Sequence, residues 1–197
     1  MQNIIYISFS PYIASVLRKE LSTKKDEPIR ITHELKATAY WRKKYPYMSR
    51  RQLDKQGSMQ YLFISALREY NIKNIRNTRV YSLAFSQREV RNNPHLIKMS
   101  SLVPFRLPSS IPDGTKQKPT SENTLMDKFA GQKFRQAIIY YFYDLLKTFL
   151  HKTQHEARQR GETWQATTAI QQFCDYYDLS SEDYFNILRQ YYRHPAA

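Results

Sequence analysis

Basic and aromatic side chains alternate most densely over residues 40–51, which read YWRKKYPYMSRR. Five cations are interleaved there with four aromatic residues. Arg and Lys neutralise phosphates and release counterions, while an exposed aromatic ring can stack on an unpaired base. The pattern therefore indicates binding of nucleic acid rather than catalysis. The contacts predicted from this stretch are made by Trp41, Arg42, Lys43, Lys44, Arg50 and Arg51.

The same stretch has a second interpretation, as an ordinary helix with one apolar and one solvated face. Tyr40, Trp41 and Tyr45 would then face the core, and the cations would face water. The two interpretations are compatible, because a helix can bury its aromatic rings and still present its cations.

A second basic group extends over residues 68–98, where Glu69 and Glu89 are the only acidic residues. A solvated surface usually mixes both signs of charge, so a run of one sign favours contact with phosphates. The contacts predicted from this group are made by Arg68, Arg76, Arg79, Arg88 and Arg91.

The net charge of the chain is confined to its first part. Residues 1–120 carry 22 Lys and Arg against 8 Asp and Glu, whereas residues 121–197 carry 9 of each. The whole formal charge of +14 thus lies in residues 1–120. Such a segregated surplus predicts a polyanionic partner, and nucleic acid is the usual one.

No catalytic or cofactor site emerges from the residue types. One cysteine and five scattered histidines provide no zinc site, and four glycines leave no room for a glycine-rich phosphate loop. His151 and His155 are four residues apart, but Lys152 stands where a zinc protease has its glutamate. We therefore predict a protein that is not an enzyme and binds no metal or cofactor.

The elements that must position these residues predict an α+β fold. Residues 1–107 form the basic α+β unit, a small sheet with helices. Residues 108–123, with three prolines and few apolar side chains, form a linker, and residues 124–197 form a three-helix unit. The elements predicted in the first unit are strands at 4–9, 28–32, 79–85 and 102–107 and helices at 12–21, 34–44, 52–70 and 86–92.

Residues 169–193 have the apolar spacing of a helix-turn-helix, within a predicted αα-hairpin. Glu182 and Asp183 open its second helix, however, where they would repel phosphates. We therefore favour a hairpin used for packing or for a homodimer, and DNA reading remains the alternative. The residues that fit the apolar spacing are Phe173, Tyr177, Leu179, Tyr184 and Ile187.

The compartment follows from the single Cys174 and from the absence of a signal-peptide pattern or a long apolar run. We expect a soluble, cytoplasmic protein without membrane contact.

Three segments carry a resemblance: residues 9–13 (FSPYI) with Leu17, residues 28–32 (PIRIT), and residues 169–173 (AIQQF) through Asp183 to residues 191–193 (YYR). With these segments the chain resembles small basic proteins encoded in phage-like and other mobile elements of Bacteroides-type bacteria. The resemblance implies an accessory or regulatory factor that binds DNA rather than RNA, and it supplies no catalytic residues. The alternative is a structural, assembly or adaptor protein whose basic, Tyr-rich surface binds an acidic protein.

Overall fold

A computed structural model of the chain describes residues 4–22, 27–32, 34–47, 49, 58–69, 84–97, 101–109 and 124–193. The fold of these residues is α+β, which confirms the predicted class. The strands are β1 (Ile4–Ser8), β2 (Leu67–Glu69), β3 (Ala84–Ser86), β4 (Leu102–Arg106) and β5 (Thr124–Met126). The helices are α1 (Pro11–Leu21), α2 (Thr38–Lys44), α3 (Met59–Ala66), α4 (Gln87–Asn92), α5 (Pro94–Ile97), α6 (Lys128–Gln159), α7 (Ala166–Tyr176) and α8 (Ser181–Arg193).

Strand β1 is the centre of a three-stranded antiparallel sheet with the order β3-β1-β4. Ile5 lies opposite Ser86 on one side and Phe105 on the other. Ile5 and Ile7 are buried, as expected for β-branched side chains on the core face of a strand. Strands β2 and β5 form a second, two-stranded antiparallel sheet.

Helix α1 follows β1 as the sequence predicts. Ser10 is extended and Pro11 occupies the first helical turn, where the missing N–H of proline needs no partner. Ile13, Val16 and Leu17 are buried and hold the helix on the core.

Helix α6 is about 48 Å long and carries core residues along much of its length. Near its start, the ring of Phe134 lies 5.0 Å from that of Phe63 and 5.7 Å from that of Phe105. Further along, the ring of Phe142 lies 5.3 Å from that of Tyr12. Residues from both sides of the predicted linker thus share one hydrophobic core. Most of the linker lies outside the described residues, and the division into units stays a prediction.

The helix predicted over 52–70 is wrong at its C-terminal end. Helix α3 ends at Ala66, and Leu67 is extended, buried, and opposite Met126 in the small sheet. The periodic apolar residues were a correct sign of burial, but pairing with β5 determines the backbone conformation after Ala66. Residues 52–57 lie outside the described ranges.

Three other predicted boundaries are also corrected. Helix α2 begins at Thr38 rather than at residue 34, because Lys36 forms a β-bridge with Ser58. In the segment predicted as a strand at 28–32, Ile29 alone pairs with another described residue, in a single bridge with Phe105. The segment after residue 123, predicted to be purely helical, begins with β5.

Candidate nucleic-acid interface

Helix α2 presents three consecutive cations in its last turn. The helix ends at Lys44, and Tyr45 leaves helical geometry because Pro46 follows it. Arg42, Lys43 and Lys44 are exposed, and none of them forms an ion pair with another described residue. Cations also suit the negative end of the helix dipole. Their charge is therefore available to a ligand.

The aromatic residues of α2 anchor it to α6. Tyr40 is buried, and its ring lies 6.0 Å from that of Tyr140 on α6. Burial, with a smaller effect of Tyr45 and Tyr140, raises the pKa of Tyr40. The Trp41 ring is half-buried against the core, and its Nε1 has no hydrogen-bond partner in the described part of the chain. The helix therefore combines both sequence interpretations, with aromatic rings inward and cations outward.

Two tyrosines next to these cations remain open to solvent. Tyr45 is 46% exposed, and its ring stacks on that of Trp41 at 5.5 Å with an angle of 27° between the planes. Tyr47 is 99% exposed, just after Pro46. The sequence prediction omitted both from the binding residues. Their position around a proline that ends the helix could have identified them as exposed.

The second basic group is only partly described. Arg88 and Arg91 are exposed on α4, which contacts β1 and β3, whereas α2 packs on α6. Arg68 lies in β2, where it is opposite Leu125 of β5. The predicted contacts Arg50, Arg51, Arg76 and Arg79 lie outside the described residues. The described cations among the predicted contacts thus lie on three separate elements, α2, α4 and β2.

Glu89, between Arg88 and Arg91, is held at the start of α4. Its Oε2 accepts hydrogen bonds from the Ser86 backbone N–H at 2.7 Å and from the Ser86 hydroxyl at 2.8 Å. The Ser86 Oγ in turn accepts from the Glu89 N–H, which completes a capping box. The carboxylate is therefore turned to the helix N-terminus.

Other cations in residues 1–120, the basic half of the chain, have structural partners. The Arg18 guanidinium donates to the carbonyl of Leu102 on β4, and Arg106 lies 3.4 Å from the Glu27 carboxylate. Lys19 donates to the carbonyl of Tyr176 and lies 3.4 Å from Asp178. These three cations therefore make structural contacts, between α1 and the sheet, between the sheet and Glu27, and between α1 and the C-terminal helices.

Several other titratable side chains line a small recess between α6 and the segment that leads into α2. It has a volume of about 250 Å³, and its lining includes Glu34, Lys36, Tyr141 and Asp144. Burial raises the pKa of Tyr141, and the carboxylates of Glu20 and Asp144 add to this effect. Within the described ranges, no three His, Cys, Asp or Glu side chains are grouped so that they could hold a metal ion.

The C-terminal hairpin is formed by α7 and α8, in agreement with the predicted three-helix unit. Phe173, Tyr177 and Ile187 are buried in it. Asp183 accepts hydrogen bonds from the backbone N–H and the hydroxyl of Ser180, so this carboxylate caps α8. The apolar spacing noted in the sequence is thus used for packing, and DNA reading by α8 stays a prediction.

None of the helices in the described ranges has both the length and the apolar character needed to cross a membrane. No family model, curated protein or solved structure matches the chain. The resemblance to proteins of mobile elements, with the role in DNA binding that it implies, therefore stays a prediction.

Proposed function

We propose that this chain is a non-enzymatic nucleic-acid-binding protein, with an accessory or regulatory role in a mobile element. Its ligand is DNA rather than RNA, and its cations contact phosphates. The observation that carries the proposal is the exposed Arg42-Lys43-Lys44 triplet on α2, a helix without a carboxylate. The surplus of positive charge in residues 1–120 supports it.

Arg88 and Arg91 on α4 would add a second set of phosphate contacts. Glu89 separates them in sequence, but its carboxylate is engaged in the capping box. Phosphate contacts set affinity and register without reading bases, so the proposal includes no sequence specificity.

The test is binding of labelled DNA and RNA to the full-length protein over a series of salt concentrations. For duplex DNA we expect log affinity to fall against log salt by about 0.9 for each phosphate contact. Replacing Arg42, Lys43 and Lys44 by Ala should lower affinity and reduce the slope by up to about 2.7, which is three such contacts.

The matched control removes the same charge from α6, by replacing Lys147, Lys152 and Arg158, all exposed, with Ala. This control should leave the slope unchanged. Failure to bind either nucleic acid at low salt would refute the proposal. Equal losses in the two triple variants would refute the assignment to α2.

A second candidate function, an assembly or adaptor protein, is favoured by exposed aromatic rings away from α2. Tyr61 is 59% exposed on α3, and Phe185 and Tyr192 are 59% and 61% exposed on α8. Tyr and Phe are common at protein interfaces, and α8 could in this way form a homodimer. Light scattering of the wild type and of a variant with Phe185→Ala and Tyr192→Ala tests this. A wild-type dimer that becomes a monomer in the variant would support a homodimer formed through α8.

We also propose the cytoplasm as the compartment. The single Cys174 is buried, and burial raises its pKa to about 11, with smaller effects of Asp175 and Asp183. A thiol in this state is a packing residue that a reducing compartment leaves unchanged.

A further inference from the structure

The turn after α2 exposes aromatic surface beside the cationic triplet. Tyr47 is 99% exposed, so its ring gains nothing from burial in the folded protein, and Tyr45 leaves 46% of its surface to solvent. Both follow Arg42, Lys43 and Lys44 within three residues. A surface that only keeps a protein in solution needs the cations but not these rings.

Trp41 holds the Tyr45 ring in a defined place. Trp41 packs on the core on one side, and on the other it stacks with Tyr45 at 5.5 Å. The preceding residue, Tyr40, is buried against Tyr140 of α6 and fixes the helix. The Tyr45 ring is therefore supported from the core rather than free at the end of a loop, which lowers the entropy that a stacking ligand must remove.

Proteins that bind single strands combine aromatic rings, on which bases stack, with cations that contact the phosphate backbone. A fixed Tyr45 ring beside the cations of α2 has this combination. Stacking uses the flat face of a base, and in a duplex the neighbouring base pairs already cover that face. Only unpaired bases can reach an aromatic side chain without being pulled out of a helix. An acidic peptide could satisfy the cations and touch the rings, but only a nucleic-acid strand brings a flat base with every phosphate.

We propose that Tyr45 and Tyr47 stack on unpaired bases, and that the ligand of this site is single-stranded nucleic acid. The inference rests on the proposed nucleic-acid binding and adds the ligand class to it. The cations of α2 hold the backbone of the strand, and the two rings hold successive bases.

The first experiment compares a labelled single strand of thymidines with a duplex of equal length at one low salt concentration. We expect the single strand to bind more tightly. Tyr45→Ala and Tyr47→Ala should each weaken single-strand binding by about tenfold. The salt slope should stay unchanged, because the cations remain. Tyr45→Phe and Tyr47→Phe should keep wild-type affinity, since stacking needs the ring and not the hydroxyl.

These variants have one separate control. Tyr192→Ala removes a tyrosine on α8 whose exposure, 61%, lies between those of Tyr45 and Tyr47, and it should leave single-strand affinity unchanged. Tyr47→Ala also guards against misfolding, because a side chain that is 99% exposed can be truncated without loss of packing.

A second measurement reports on the site itself through the fluorescence of Trp41. The chain has two tryptophans, and Trp164→Phe leaves Trp41 as the only one. Trp164 lies beyond α6, where it donates a hydrogen bond to Thr153. Adding the thymidine strand should change the emission of Trp41, because a base stacked on Tyr45 lies one ring away from the indole.

The outcomes separate the two proposals. No binding of either nucleic acid would overturn both the nucleic-acid function and this inference. Equal binding of single strand and duplex, with no effect of the Ala variants, would overturn stacking and leave phosphate binding intact. Binding of poly-glutamate as tightly as the thymidine strand, with the same loss in the Ala variants, would overturn the assignment to nucleic acid.

Discussion

At the scale of single residues, α6 and α7 end in the same backbone motif with different residues at its critical position. After α6, the Gly161 N–H donates to the carbonyl of Arg158, and the Glu162 N–H donates to that of Ala157. After α7, Asp178 and Leu179 make the equivalent bonds. The motif needs a left-handed residue, and φ is +69° at Gly161 and +53° at Asp178. Only the first position has the residue type without a Cβ.

This difference gives a matched pair of substitutions. Gly161→Ala should lower the free energy of unfolding by about 1 kcal/mol through backbone strain alone, since a Cβ there would have no neighbour within 4 Å. Asp178→Gly relieves the same strain but removes an exposed ion pair with Lys19, so it should raise the free energy of unfolding by about 0.5 kcal/mol. Urea unfolding measures both. Equal and negligible effects at the two positions would contradict the role of the left-handed backbone.

At the scale of elements, α1 is joined to the end of α7 by side chains from both halves of the chain. Lys19 lies 4.6 Å from the ring centroid of Tyr176, in addition to its contacts with the Tyr176 carbonyl and Asp178. The Tyr177 hydroxyl donates to the Glu20 carboxylate at 2.6 Å. Burial is the main cause that raises the pKa of Tyr177, and the hydrogen bond to Glu20 raises it further.

Removing the Tyr177 hydroxyl tests this contact. Tyr177→Phe should lower the free energy of unfolding by about 1.5 kcal/mol at neutral pH, the contribution of a hydrogen bond to a carboxylate. The Tyr176→Phe variant is the control, since Tyr176 is 55% exposed and should change stability by less than about 0.5 kcal/mol.

The same contact predicts a pH dependence. A raised pKa means that the folded protein favours the protonated hydroxyl, so the stabilisation is complete below the unfolded pKa of about 10. It is lost progressively as pH rises above that value. The difference in unfolding free energy between wild type and Tyr177→Phe should therefore hold up to about pH 10 and shrink between about pH 10 and about pH 11. A difference that stays constant over this range would contradict the prediction.

The sequence predicts those elements whose limits depend on local patterns, but not the pairing of distant strands. The end of α2 follows from Pro46, and the apolar faces of α1 and α6 follow from their periodicity, because these are local effects. The pairing of β2 with β5 joins residues 67–69 to residues 124–126, and no local pattern encodes it. The basic residues of the site were visible in the composition, but the stacking of Tyr45 on Trp41 depends on how α2 sits on the core.

At the scale of the whole molecule, α6 connects the basic half to the neutral half. Phe134 packs with Phe63 and Phe105, and Phe142 packs with Phe173 of the hairpin at 6.1 Å. The net charge of the chain is confined to residues 1–120, but the described core contains residues from both halves. A shared core makes the stability of each half depend on that of the other. The binding surface proposed on α2 would then be lost whenever α6 unfolds.

Two tryptophans allow this coupling to be measured. Trp41→Phe and Trp164→Phe each leave one reporter, in the neutral and the basic half respectively. Phenylalanine should be tolerated at position 41, because the Trp41 Nε1 has no hydrogen-bond partner among the described residues. If the halves fold as one cooperative system, both reporters should have the same denaturation midpoint once the small stability difference between the variants is subtracted.

Phe134→Ala, added to each variant, makes the test decisive. Removing this buried ring should lower the free energy of unfolding by about 3–5 kcal/mol and shift both reporters together. A shift of one reporter alone would show that the chain folds as two units. A shift confined to Trp164, which shares residues 124–197 with Phe134, would put their boundary at the predicted linker of residues 108–123. In that case the basic half would stay folded without the hairpin, whereas a joint shift means that the binding surface proposed on α2 is lost only when the whole cooperative system unfolds.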